Sequence, residues 1–124
     1  MEIQRVRGPA VGRNQAVAYS GLAWAVGAAC RPGLGFADQM RETLQIIDQS
    51  LAALGTDKTR LLSAQVFLAD MADKPRMDEA WNAWLGPNPD HWPQRACVGA
   101  PLTGDLLVEI TVVAAAKPAA EEPP

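Results

Sequence analysis

Few side chains in this sequence could do chemistry, and the most informative is Glu109. It is the only charge between Leu106 and Ala116. A carboxylate in so apolar a strand costs several kcal/mol unless it is paired or hydrogen-bonded. Arg95 is its natural partner, standing before Ala96, Cys97 and Val98 on what reads as the neighbouring strand, with a short connection over residues 101–105. Arg95 and Cys97 are two apart and so share a strand face. If the last two strands pair in register as a hairpin, Arg95, Cys97 and Glu109 line one pocket. A planar guanidinium there would grip a carboxylate through two parallel hydrogen bonds. A salt bridge to Glu109 accounts for Arg95 equally well. The spacing alone leaves both a structural ion pair and a catalytic role open.

The other candidates are weaker. Cys97 has no visible base, so a small buried hydrophobe is its better reading. Cys30, beside Arg31, reads as incidental. His91 is the only histidine and lies among Pro89, Trp92 and Pro93, which suits a turn. One histidine without clustered cysteines or carboxylates makes no ordinary zinc site and removes most histidine-based triads. Gly33-Leu34-Gly35 is a short glycine turn and no phosphate loop. Trp24, Trp81, Trp84 and Trp92 read first as core or interface packing, with the option that one or more wall an apolar pocket.

These residues need elements to hold them. Residues 1–7 suit an opening strand. Ala16 to Tyr19 and Leu22 to Val26 read as a hairpin turned at Ser20-Gly21. Phe36, Met40, Leu44, Ile47, Leu51 and Leu54 recur at spacings of 4, 4, 3, 4 and 3, the stripe of an amphipathic helix that Gly55 stops. Arg60 to Leu68 reads as a strand with Leu62, Ala64, Val66 and Leu68 on one face. Met77, Trp81 and Trp84 predict a second helix ending near Leu85, broken by Gly86-Pro87-Asn88-Pro89. Arg95 to Ala100 and Leu106 to Ala115 complete the order β-β-β-α-β-α-β-β. That order is an α+β fold, a mostly antiparallel sheet with both helices on one face. In the last strand Leu106, Val108, Ile110, Val112 and Ala114 should pack under the helices. Leu107, Glu109, Thr111, Val113 and Ala115 make a second, mostly apolar face that this chain has no layer to cover. A neighbouring copy is the simplest cover, so a homo-oligomer is expected.

The chain has 124 residues and a formal net charge of −3. That length suits one domain, placed at residues 1–116, with 117–124 as a Pro- and Glu-rich tail. The acidic balance argues against nucleic acid as a partner. No apolar run is long enough for a membrane span, and the first residues carry no signal-peptide pattern, so the expected location is the cytoplasm.

The segment Pro93-Gln94-Arg95-Ala96-Cys97-Val98, followed by Leu107-Val108-Glu109-Ile110, closely resembles the Rid family of reactive intermediate deaminases, also called YjgF-like proteins. Leu22 to Gly27, Gln39 at the start of the long helix, Gly55, Phe67 to Asp70 and Met77 to Trp84 all fall in family order. The resemblance implies a chorismate-mutase-like fold and a homotrimer with pockets at its subunit interfaces. It implies hydrolysis of enamines and imines, such as 2-aminoacrylate and its imine tautomer, to 2-oxo acids and ammonia, without metal or organic cofactor. Arg95 would bind the substrate carboxylate and Glu109 would position water and assist proton transfer. Cys97 would line the pocket, its backbone holding the imine nitrogen, and Gly27 would let backbone approach the ligand.

The sequence also departs from the family pattern. The pocket tyrosine of the prototype would fall around Arg13-Asn14. Asp78 stands where an Asn is usual, and Trp81 and Trp84 replace smaller aromatics. With Asn14, Asp78 and Trp81 added to the substrate-binding set, the chain resembles a divergent subgroup. A dedicated version such as a 2-aminomuconate-type deaminase lies within the same class. The competing expectations are a non-catalytic trimer that binds a small carboxylate metabolite, and, behind it, a ribonuclease or translation inhibitor.

Overall fold

Each apolar period finds a partner of matching geometry in the computed structural model, which describes residues 2–29 and 31–116. Cys30 and the tail at 117–124 lie outside the described residues. The elements are β1 (Gln4–Val6), β2 (Ala16–Tyr19), β3 (Leu22–Ala28), α1 (Phe36–Ala53), β4 (Leu61–Leu68), α2 (Lys74–Leu85), β5 (Gln94–Gly99) and β6 (Val108–Ala115). Short 3-10 turns at Lys58–Arg60, Met71–Asp73 and Pro89–His91 join them. His91 therefore sits in a turn, as expected.

The β2–β3 hairpin closes with Tyr19 opposite Leu22, and its two turn residues, Ser20 (φ 54°) and Gly21 (φ 86°), both take positive φ. That is the type I′ geometry whose twist matches the strands it joins. The apolar stripe of α1 is buried along its length, and Gly55 (φ 77°) ends the helix. There the Gly55 amide donates to Ala52 O and the Thr56 amide to Leu51 O, satisfying carbonyls that the helix end would orphan. In α2, Pro75 stands in the first turn, where its missing N–H costs nothing.

The sheet order is β1-β2-β3-β6-β4-β5. Every pairing is antiparallel except β4–β5, which is parallel, with α2 carrying the crossover that parallel neighbours require. Val108, Ile110, Val112 and Ala114 are all buried on the helix side, with Ala64, Val66 and Leu68 beside them. The expected α+β architecture is the one observed. Among the described residues no helix is long and apolar enough to cross a membrane.

Two expectations about the strands need correcting. Leu62 points outward, about half exposed, while Leu61 is buried. A bulge between Leu61 and Ser63 shifts the register by one, and a one-residue slip turns a side chain to the other face. The larger correction is that β5 and β6 form no hairpin. Both edges of β6 are taken by β3 and β4, so β5 adds to the far side of β4. The chain steps over the end of β4 between them, with the Ala100 amide donating to Leu68 O and the Ala69 amide to Leu107 O.

Candidate active site

The sheet register decides which candidate residues meet. Arg95 lies opposite Ala64, itself opposite Val112, and Cys97 lies opposite Val66, itself opposite Ile110. Those rows face the helices. Val98, Phe67, Glu109 and Ala28 form the next row beyond that of Cys97, facing the other way. Arg95 and Glu109 are thus on opposite faces of one sheet, two strands apart. They cannot line one pocket within a single chain, because the hairpin that would have joined them does not form.

Arg95 is placed by its strand and by α2 behind it. Its Nη2 donates to Asp78 Oδ1 at 2.7 Å, and its Nη1 reaches Met77 Sδ at 3.6 Å. Its guanidinium carbon lies 5.6 Å from the centroid of the Trp81 ring, within cation–π range. Asp78 Oδ2 accepts from Lys74 Nζ at 2.7 Å, one turn back along α2. The Lys74 hydrogen bond holds the Asp78 carboxyl below its ordinary range; burial opposes this shift and Arg95 adds to it. Asp78 is therefore a carboxylate at neutral pH, already engaged by two cations.

Beside this cluster lies an open groove of about 980 Å³, lined by Asp78, Trp81, Leu85, Pro87, Trp92 and Arg95 among others. Trp81 is buried at its base. Trp92 stands half exposed on its rim, its Nε1 donating to Gly86 O at 2.9 Å, which fixes the indole. Cys97 packs against the core from the same strand face as Arg95.

Glu109 belongs to a second cluster on the open face. Its side chain is 28% exposed, with Arg13 Nη1 3.9 Å from Oε2. Asn14 lies nearby, lining a shallow hollow of about 200 Å³ with Val17, Trp24, Val26 and Thr111. Gly27 lies opposite Ile110 and faces α1. A Cβ there would stand 2.6 Å from Thr43 O and 2.9 Å from Ile47 Cγ1. The backbone that approaches Gly27 closely is that of α1, so packing alone explains this glycine.

Two residues named in the sequence were given no role there. Arg13 is the cation beside Glu109, and no spacing rule links residues so far apart. Gln39 is buried, and its side chain bridges α1 to the segment that leads into β6. Nε2 donates to Leu34 O and Asp105 O at 2.9 Å each, and Oε1 accepts from the Leu107 amide at 2.8 Å. The available signal was an amide next to Met40 on the apolar side of a helix start.

Known proteins share this fold. The family profile described as Endoribonuclease L-PSP matches residues 6–116. A RutC family protein of Haemophilus ducreyi is 38% identical over 106 residues, covering 82% of this chain and 87% of its own. A RutC family protein of Haemophilus influenzae is 41% identical over 80 residues, 62% of this chain and 66% of its own length. Among solved structures, a YjgF-family protein of Neisseria meningitidis superposes with a TM-score of 0.84 at 34% identity, covering 96% of this chain and 98% of its own. The profile match over residues 6–116, with the Haemophilus ducreyi relative and the YjgF-family structure each covered over most of its length, makes this chain a member of the Rid family, the YjgF- and RutC-like proteins.

Proposed function

We propose that this protein hydrolyses reactive 2-imino acids and their enamine tautomers to 2-oxo acids and ammonia, in a site built from two copies of the chain. The observation that carries the proposal is the placement of Arg95 and Glu109 on opposite sheet faces. One copy offers a groove with a cationic group. The other offers an open face with a carboxylate. That face is apolar around Glu109, with Val17, Trp24, Val26, Phe67 and Val113 on it, and Trp24 is 39% exposed in the lone chain. Docking this face on a neighbour's groove edge would cover both surfaces, and a closed ring of three such copies would give three equivalent sites.

In this reading Arg95 holds the substrate carboxylate and fixes the imine carbon. Glu109 accepts a proton from water as its oxygen attacks that carbon. Glu109 passes that proton to nitrogen, giving the carbinolamine, then carries the hydroxyl proton to the same nitrogen, so that the C–N bond breaks and ammonia leaves as the C=O bond forms. Arg13, 3.9 Å from Glu109, would help aim the carboxylate. The substrate is already electrophilic, so general base help and orientation supply what the step needs.

The test generates imines in situ with an amino-acid oxidase and follows ammonia release and semicarbazide trapping. Wild type should shorten the imine lifetime and Arg95→Ala should not. Equal lifetimes across small, aliphatic and aromatic imines would end the deaminase reading. The second reading, a carboxylate-binding regulator, needs Arg95 alone. It predicts 2-oxo acid binding with no turnover to lose in Glu109→Gln.

A further inference from the structure

Arg95 does not wait empty for a substrate carboxylate, since Asp78 already supplies one at 2.7 Å. A small 2-imino acid that binds Arg95 must compete with this internal anion and brings little else to the site. The adjacent groove changes the balance. Trp81, Leu85, Pro87 and Trp92 give it apolar walls within reach of the same guanidinium. A ligand with a large apolar side chain buries that surface as its carboxylate meets Arg95. We infer that Asp78 and the tryptophan groove together set specificity: Asp78 weakens every carboxylate at Arg95, and ligands with large aliphatic or aromatic side chains recover that loss by filling the groove. The inference rests on the proposed deaminase reading for its substrate, and on the Asp78–Arg95 geometry for its direction.

Lys74 shapes the contest. By taking Asp78 Oδ2, it leaves only Oδ1 on Arg95, so the internal ion pair is a single contact that a bidentate carboxylate can displace. Asp78 therefore weakens carboxylates without closing the site to them.

The experiment compares wild type, Asp78→Asn, Glu79→Gln and Trp92→Ala. Glu79 is exposed on the same helix and does not line the groove, so its variant changes the net charge equally without touching Arg95's surroundings. Two readouts are taken: KM and kcat for imines made from alanine and phenylalanine, and affinities for pyruvate and phenylpyruvate by calorimetry. Asp78→Asn should lower KM for the small imine and tighten pyruvate by about tenfold, the worth of a charge-assisted hydrogen bond, and tighten phenylpyruvate by about the same factor. Glu79→Gln should move neither. Trp92→Ala should weaken phenylpyruvate by about tenfold and leave pyruvate alone. Unchanged pyruvate affinity in Asp78→Asn overturns the inference, as does a general loss of affinity, which would mean that Asp78 only orients Arg95; an unchanged pyruvate-to-phenylpyruvate ratio in Trp92→Ala overturns it as well. If no imine turns over yet the 2-oxo acid affinities follow this pattern, the inference stands and the deaminase reading falls. If no variant binds any 2-oxo acid, both fall.

Discussion

Arg95 and Glu109 divide the work that the proposed reaction requires, and their variants should fail differently. Glu109→Gln should lower kcat by about 10²- to 10³-fold, the usual worth of general base catalysis, while pyruvate affinity measured by calorimetry changes little. Arg95→Lys should not restore what Arg95→Ala loses, because an ammonium has no planar fork for a carboxylate. Asp78 adds a pH dependence whose sign is fixed. Its folded-state pKa lies below the ordinary 3.8, chiefly through Lys74. It therefore contributes stability that is present above that value and lost as pH falls through the lower folded one. Thermal melts between pH 2.5 and 6 should show a steeper acid loss in wild type than in Asp78→Asn. Parallel curves would remove Asp78 from the account.

At the level of elements, the packing of α1 on the sheet sets the tightest constraint. Gly27→Ala puts a methyl 2.6 Å from a helix carbonyl, and neither β3 nor α1 can retreat alone. Overpacking of this kind should cost about 1–3 kcal/mol, read as a lower urea midpoint. Gln39→Leu should cost about 3 kcal/mol, because it strands the Leu34 and Asp105 carbonyls and the Leu107 amide. Helix α1 and the β2–β3 hairpin were legible in the sequence because their signals are local: a 3.6-residue period, a turn pair, a stopping glycine. The residues of the site were legible by type for the same reason, a lone carboxylate in an apolar run and an arginine two before a cysteine. Their mutual placement was not. Strand neighbours are chosen by the sheet as a whole, and a short connection between β5 and β6 does not reveal that β4 lies between them. Leu62 was misplaced by one bulge that shifts no apolar residue in the sequence itself.

For the whole molecule, the open face makes a prediction about assembly. Trp24→Glu places a charge at the centre of the surface that a second copy would cover. Light scattering should then find the variant at monomer mass, with its circular dichroism retained and its turnover lost, whereas wild type should run as a trimer. A monomeric wild type, active as such, would refute the shared site. The strand order carries a separate consequence for how the chain is made. The strand synthesised last of the six stands in the middle, between β3 and β4. Until residues 108–115 leave the ribosome, the hairpin of β2 and β3 has no strand pairing to the unit of β4 and β5, and α1 lacks the part of its floor that β6 supplies. From the completion of β4 until that segment emerges, the nascent chain must hold two unjoined edges open. Folding then waits on one short segment, whose arrival closes the sheet and brings Glu109 into position at the same moment.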